Sequence, residues 1–185
     1  MSWYKRHYRL LALIAIFAVT NVFLLLIGPE QLVSSIGVEN TYLVVFVIAA
    51  VGGMSSFTGA AYVNAIIAFT AGGANPWLIG LCGGLGAFIS DSVFYIIAEY
   101  SRQIVPVEWR PLFRKITKKM QVLPTRSVLA FTYIYHMLPL PSDIMMLALV
   151  LGGYGYRTVA PVIFLAALTC STLIAHFGSL WFWFW

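Results

Sequence analysis

Asp91 stands inside a stretch, 76–98, that holds no other charged residue and no histidine. His136 and Asp143 flank Pro139 and Pro141 in a second apolar stretch, HMLPLPSD. Ser55, Ser56, Thr58 and Asn64 gather in a third. They sit within 31 residues, 41–71, that contain no Lys, Arg, Asp, Glu or His. In hydrocarbon an ionisable side chain is costly, so each such group marks a proton relay, an ion site or a polar path. Hydroxyls and amides can replace part of the hydration that a polar headgroup or ion sheds on entering. The plainer roles are structural. Asp91, between Ser90 and Ser92, also suits a hydrogen-bond partner for loosened backbone. Asp143 suits a helix cap, with Ser142 as its rival. A lone histidine usually fills an interior, but His136 beside a chain break and an aspartate is expected to line a cavity.

Catalysis finds little support. Ser90, Asp91, Ser92 and His136 supply triad residue types, yet no G-x-S-x-G turn, H-E-x-x-H helix, Cys/His cluster or phosphate loop accompanies them. Cys82 and Cys170 lie apart in apolar segments and form no metal or redox pattern. No enzyme activity, cofactor, metal or nucleic-acid partner is expected.

The elements that must position these groups follow from composition. The chain has 185 residues, 61% apolar and 9% charged, against roughly 25% charged in soluble domains. Its mean hydropathy is +0.90. The reading is one all-α integral membrane domain over 1–185. Five apolar segments stand out: 10–27, 41–71, 76–100, 127–152 and 158–185. A basic start followed by 10–27 resembles a signal peptide, but the run is long and no A-x-A site follows, so a retained helix is expected.

A bilayer core of roughly 30 Å takes about 20 helical residues. As one helix, 41–71 would run about 46 Å. Split at VGGMSSFTG, each half covers about 21 Å, too short to cross but suited to a re-entrant hairpin. The same device recurs at MLPLPSD. Charge decides between crossing and returning. All eleven Lys and Arg lie at 5–9, 102–126 and 157. Two hairpins put every cation on one side, with Glu30 and Glu39 on the other; two crossings do not. The positive-inside rule therefore predicts hairpins and a cytoplasmic N-terminus.

An internal repeat follows. Each broken hairpin ends in a Gly-Gly pair, 72–73 and 152–153, and leads into an uninterrupted helix. The expected fold has three full transmembrane helices and two oppositely oriented re-entrant hairpins in an inverted repeat, with interfacial amphipathic helices. Its parts are 1–40, an N-terminal helix and outer interfacial segment; 41–100, the first hairpin and helix; 101–126, a basic cytoplasmic amphipathic helix; and 127–185, the second hairpin and helix. In transporters built this way the site lies where the breaks meet. Arg110, Arg114, Lys115, Lys118 and Lys119 alternate with apolar residues at helical spacing, a surface for anionic headgroups. The small residues Gly80, Gly84, Gly83 and Ala87 permit close helix approach. The terminal WFWFW suits an interfacial aromatic anchor.

The stretch SFTGAAYVNAIIAFTAGGANPWLIGLCGGLGAFISDSVFYIIAEYSR resembles the first hairpin and helix of the DedA family, also called the VTT or SNARE-associated Golgi protein superfamily. AFTYIYHMLPLPSDIMMLALVLGGYGYRTVAPVIFLAALTCSTLIAHFG resembles its second half. The likeness spans roughly 40–178. It implies opposed re-entrant hairpins and lipid movement between leaflets, of the phospholipid scramblase or polyprenyl-phosphate flippase type. The implied partners are membrane lipids, with a homo-oligomer left open, and the implied location is a prokaryotic plasma membrane. Asp91 matches the family's acidic position in the first full helix, and Asp143 remains. Phe57-Thr58-Gly59-Ala60 offers no carboxylate where many members carry Glu. His136 and Ser142 stand where many carry the two arginines of R-F-x-P-x-x-R. Losing that bidentate phosphate grip favours a weakly selective pathway. The rival readings are a proton- or cation-coupled small-molecule exporter and a non-transporting scaffold.

Overall fold

The computed structural model of the chain describes residues 29–52, 56–101, 118, 122–138 and 142–183. Among these, all regular structure is helical: α1 (Pro29–Ile36), α2 (Val38–Gly52), α3 (Ser56–Ala71), α4 (Pro76–Ser101), α5 (Thr125–Met137), α6 (Ser142–Gly152) and α7 (Tyr156–Trp183). The first expected crossing, 10–27, and nearly all of the basic amphipathic segment lie outside the described residues.

Local chemistry sets the boundaries. Trp77 N–H donates to Asn75 Oδ1 at 2.9 Å, so Asn75 caps α4 and Pro76 fills its first turn, where no N–H is needed. Leu138 ends α5 in an extended conformation, φ −88 and ψ 143. The following Pro139 disfavours helical geometry at that position.

The expected hairpins correspond to antiparallel helix pairs. Asn75 N–H, just past the end of α3, donates to Tyr42 Oη near the start of α2. The chain therefore returns to the end of the molecule from which α2 set out. In the second pair Val128, near the start of α5, shares a cluster with Leu149 and Val150, near the end of α6. The two pairs open towards opposite ends. Tyr42 and Asn75 lie beside the Pro76 end of α4. Val128 packs with Tyr95 and Ala98, close to its Ser101 end.

The long helices α4 and α7 run antiparallel through the centre. Gly80 abuts Thr172, Gly84 abuts Leu168, and Phe88 meets Phe164 edge to face. A Cβ on Gly80 or Gly84 would lie 2.7 Å from the opposing Cα, so only glycine admits this approach. Each hairpin then splits between the two. α2 packs on α4 while α3 packs on α7; α5 packs on α7 while α6 packs on α4.

The Gly-Gly repeat is geometric as well as sequential. Gly73 and Gly153, 80 positions apart, have φ of 93 and 78 degrees. Each closes the same motif: Gly73 N–H to Thr70 and Ala74 N–H to Phe69, then Gly153 N–H to Val150 and Tyr154 N–H to Leu149. These are Schellman caps, which need the left-handed backbone that glycine adopts without a Cβ penalty. Pro76 and Tyr156, where the long helices begin, are also 80 apart. The two hydrophobic clusters obey the same offset. Ile66, Phe69, Ile79 and Ala175 in one correspond to Met146, Leu149, Val159 and Tyr95 in the other.

Two helices are long and apolar enough to cross a membrane, with spans Pro76–Tyr100 and Tyr156–Gly178. Only 39% and 33% of their most apolar windows are buried within the molecule. Leu43, Val47 and Val51 make an outward stripe on α2 at helical spacing. Of the described charged residues, Lys118, Arg126, Arg157 and Glu99 are exposed, Glu99 lying near the Ser101 end of α4. Arg126 and Arg157 begin α5 and α7 at the Ser101 end of α4. Glu39, also exposed, begins α2 at the other end.

Candidate functional site

Asp91 lies on α4 beyond its midpoint and is 5% exposed. Three groups from the second hairpin converge on it. His136 Nε2, in the last turn of α5, is 3.9 Å from Asp91 Oδ2. The Ser142 side chain, opening α6, lies beside the Asp91 carboxyl, placed to donate to it. Asp143 follows within electrostatic reach. The break between α5 and α6 thus brings together the acidic residue of the first unit and the polar residues of the second.

The histidine is oriented by its own helix. His136 Nδ1 lies 2.9 Å from the Thr132 carbonyl. A carbonyl only accepts, so the proton is assigned to Nδ1. Nε2 then faces the carboxylate and has no hydrogen-bond partner among the described residues. At 3.9 Å the two do not hydrogen-bond, and two acceptors facing each other in a buried place favour a proton on one of them. Thr132 is itself fully buried and bonds back to Val128 at 2.8 Å. Ser90, next to Asp91, is 0% exposed and its hydroxyl is likewise unpartnered. The seam can hold a proton, or offer carboxylate and hydroxyl oxygens to a positive or hydrogen-bond-donating group.

A second polar contact lies on α7. Tyr62 Oη of α3 and Ser171 Oγ share a hydrogen bond, and Ser171 also donates to Ala167 O at 2.7 Å. Cys170, a free, half-buried thiol, stands next to Ser171 within electrostatic reach of Tyr62 and Asp91. At the Ser101 end, Tyr95 Oη donates to the Tyr154 carbonyl and Tyr156 Oη to Ser92 Oγ at 2.7 Å. These contacts tie the start of α7 to the far half of α4.

The expected site residues divide accordingly. Asp91 and His136 are brought face to face, and Asp143 stands beside them. Asn64 is 2% exposed on α3. Ser56 and Thr58 fall in the first turn of α3. Ser55, Pro139 and Pro141 lie outside the described residues, as do Arg110, Arg114, Lys115 and Lys119. Lys118 is helical and exposed. Sequence reading gives Ser142 as a cap and as the residue in place of a family arginine, and passes over Tyr62, Thr132 and Ser171. The 80-residue offset is the signal that finds two of them, because it maps Tyr62 onto Ser142 and Asp91 onto Ser171. Among the described residues no group of three or more His, Cys, Asp or Glu side chains could hold a metal.

The fold and site define an all-helical protein of two related units, with two helices apolar and long enough to span a membrane and a polar seam between the units. No family model, curated protein or solved structure matches the chain.

Proposed function

We propose that this protein sits in a membrane and moves lipids between leaflets, as a weakly selective scramblase or polyprenyl-phosphate flippase. On this reading the two antiparallel helix pairs are re-entrant hairpins entering from opposite faces, and 10–27 supplies a third full crossing. The observation that carries the reading is the meeting of a break in one unit with a buried carboxylate of the other, within an 80-residue repeat. Inverted units with broken helices place transport sites at such a meeting. The outward apolar stripes support a lipid surround, since water-soluble monomers rarely expose such faces together. Arg126 and Arg157 at one end, with no described Lys or Arg at the other, support a cytoplasmic Ser101 end. The resemblance to the DedA family supports a lipid substrate and a prokaryotic plasma membrane.

The test uses purified protein in liposomes carrying a fluorescent phospholipid or polyprenyl phosphate. An impermeant quencher should remove well over half the signal, against the outer-leaflet half in protein-free liposomes. Changing His136 and Asp143 together to Leu should return the loss to that half. Wild-type protein that gives only the protein-free value with both lipid classes would refute the lipid reading.

A second reading has its own observation. Asp91 and His136 are enclosed rather than open to a lateral groove. Proton- or cation-coupled export of a small molecule uses such an enclosed pair. Proton movement on addition of substrate cations, with no lipid movement, would select it.

A further inference from the structure

The hydrogen bond between Tyr62 and Ser171 has a counterpart in the approach of the Ser142 hydroxyl to the Asp91 carboxyl. Position 62 plus the repeat of 80 is 142, and position 91 plus 80 is 171. In each case the second arm of a hairpin reaches the full-length helix of the other unit: α3 to α7, and α6 to α4. The agreement is independent of residue type, because Tyr replaces Ser on one side and Asp replaces Ser on the other. It is also independent of the hydrophobic clusters and glycine caps that define the offset.

The two contacts lie at different depths. Gly80 faces Thr172, so Ser171 is level with Leu81, ten positions before Asp91. At 1.5 Å per residue that is about 15 Å along the helix pair. The Tyr62 contact lies towards the Pro76 end and the Ser142 contact towards the Ser101 end. Cys170 adjoins Ser171, half-buried, and both it and Tyr62 are in electrostatic reach of Asp91.

We infer that these contacts are a pair of gates, one on either side of the middle of the path, each holding the returning arm of a hairpin against the opposite unit. This rests on the transport reading proposed above. A repeat with inverted orientation reaches its other-facing state when the two units exchange conformations. Contacts related by the repeat are the ones that must exchange: one breaks while its counterpart stays made. The two are chemically unequal. Tyr62–Ser171 is a neutral hydroxyl pair. Ser142–Asp91 includes a carboxyl with His136 beside it, so only the gate near the Ser101 end can respond to charge.

The native thiol Cys170 reports on both gates. With Cys82→Ala as background, the full chain is reconstituted in vesicles of known orientation and labelled by an impermeant maleimide from one side at a time. Tyr62→Phe keeps the ring and removes the bond; Ser171→Ala removes it from the other partner. Both should speed labelling from the Pro76 side about five- to tenfold, the change that losing one hydrogen bond brings to a local opening. Ser142→Ala should do the same from the Ser101 side only. Acceleration from the same side for all three, or for none while melting temperatures stay at the parent value, would overturn the gates. Should Tyr62→Phe and Ser171→Ala disagree in side, the pairing is refuted without reference to folding. A protein that shows the side-specific pattern but moves no lipid would sink the lipid reading and leave the gates standing.

Discussion

Asp91 serves two partners with different demands. Ser142 is satisfied by any acceptor at that place, whereas His136 responds to charge. Substitution separates these roles. Asp91→Asn retains an acceptor for Ser142 and should melt close to the parent. Asp91→Leu leaves the half-buried Ser142 hydroxyl without its acceptor and should be less stable than Asn by about 0.5–1.5 kcal/mol. Denaturation of both variants in detergent reads this directly. Loss of transport in Asp91→Asn with parent-like melting would assign the carboxylate a working role beyond packing. Equal stability of Asn and Leu would show that the Ser142 bond contributes nothing. His136 makes a different case, since its Nδ1 bond to Thr132 fixes the ring whatever Asp91 does.

At the scale of helices, the glycines sort by what surrounds them. Gly84 faces the Leu168 backbone, which cannot step aside. Gly84→Ala should therefore cost about 1–3 kcal/mol through overpacking. Gly59, in the first turns of α3, has no atom within 4 Å of an added Cβ. Gly59→Ala should be neutral or stabilising by about 0.5–1 kcal/mol, from helix propensity. Melting curves of the two variants side by side check the contrast; similar losses in both would deny the close α4–α7 approach. The caps give a matched pair. Gly73 and Gly153 share a left-handed backbone, so Gly73→Ala and Gly153→Ala should each lose about 1–2 kcal/mol. If one is tolerated freely, the repeat does not extend to its caps. The breaks differ in their cause. Pro139 stops α5 by acting on Leu138, whereas the sequence joining α2 to α3 has no proline and holds glycine and serine.

For the molecule as a whole, the distribution of charge gives a test of sidedness. Ser34 on α1 and Arg126 at the start of α5 are exposed at opposite ends. Single cysteines there, with Cys82 and Cys170 replaced by Ala, should differ on intact cells. An impermeant maleimide should label Ser34→Cys and spare Arg126→Cys until the membrane is permeabilised. Labelling of Arg126→Cys alone would invert the orientation. Equal labelling of both would remove the opposed hairpins, since both ends would then face outward.

What the sequence determined by itself is the set of places where the chain cannot continue a helix and the few polar groups it keeps in apolar surroundings. Glycine, proline and charge act locally, through backbone freedom, a missing N–H and desolvation, so their effects are legible over a few residues. That suffices for the breaks near 53 and 139, the caps at Gly73 and Gly153, the start of α4 after Asn75, and the singling out of Asp91 and His136. It also reaches the repeat, through its glycines. Only the tertiary structure decided which polar groups meet. Tyr62 and Ser171 lie 109 positions apart, and each looks like an ordinary residue of an apolar helix. Ser142 looks like a cap until α6 is laid against α4. Partnership across the units depends on the antiparallel register of α4 and α7, and that register is set by the close approach at Gly80 and Gly84. The repeat itself is kept in backbone path and buried volume rather than in residue type. Asp91 and Ser171 therefore occupy matching places while sharing no chemistry that a reading along the chain would pair.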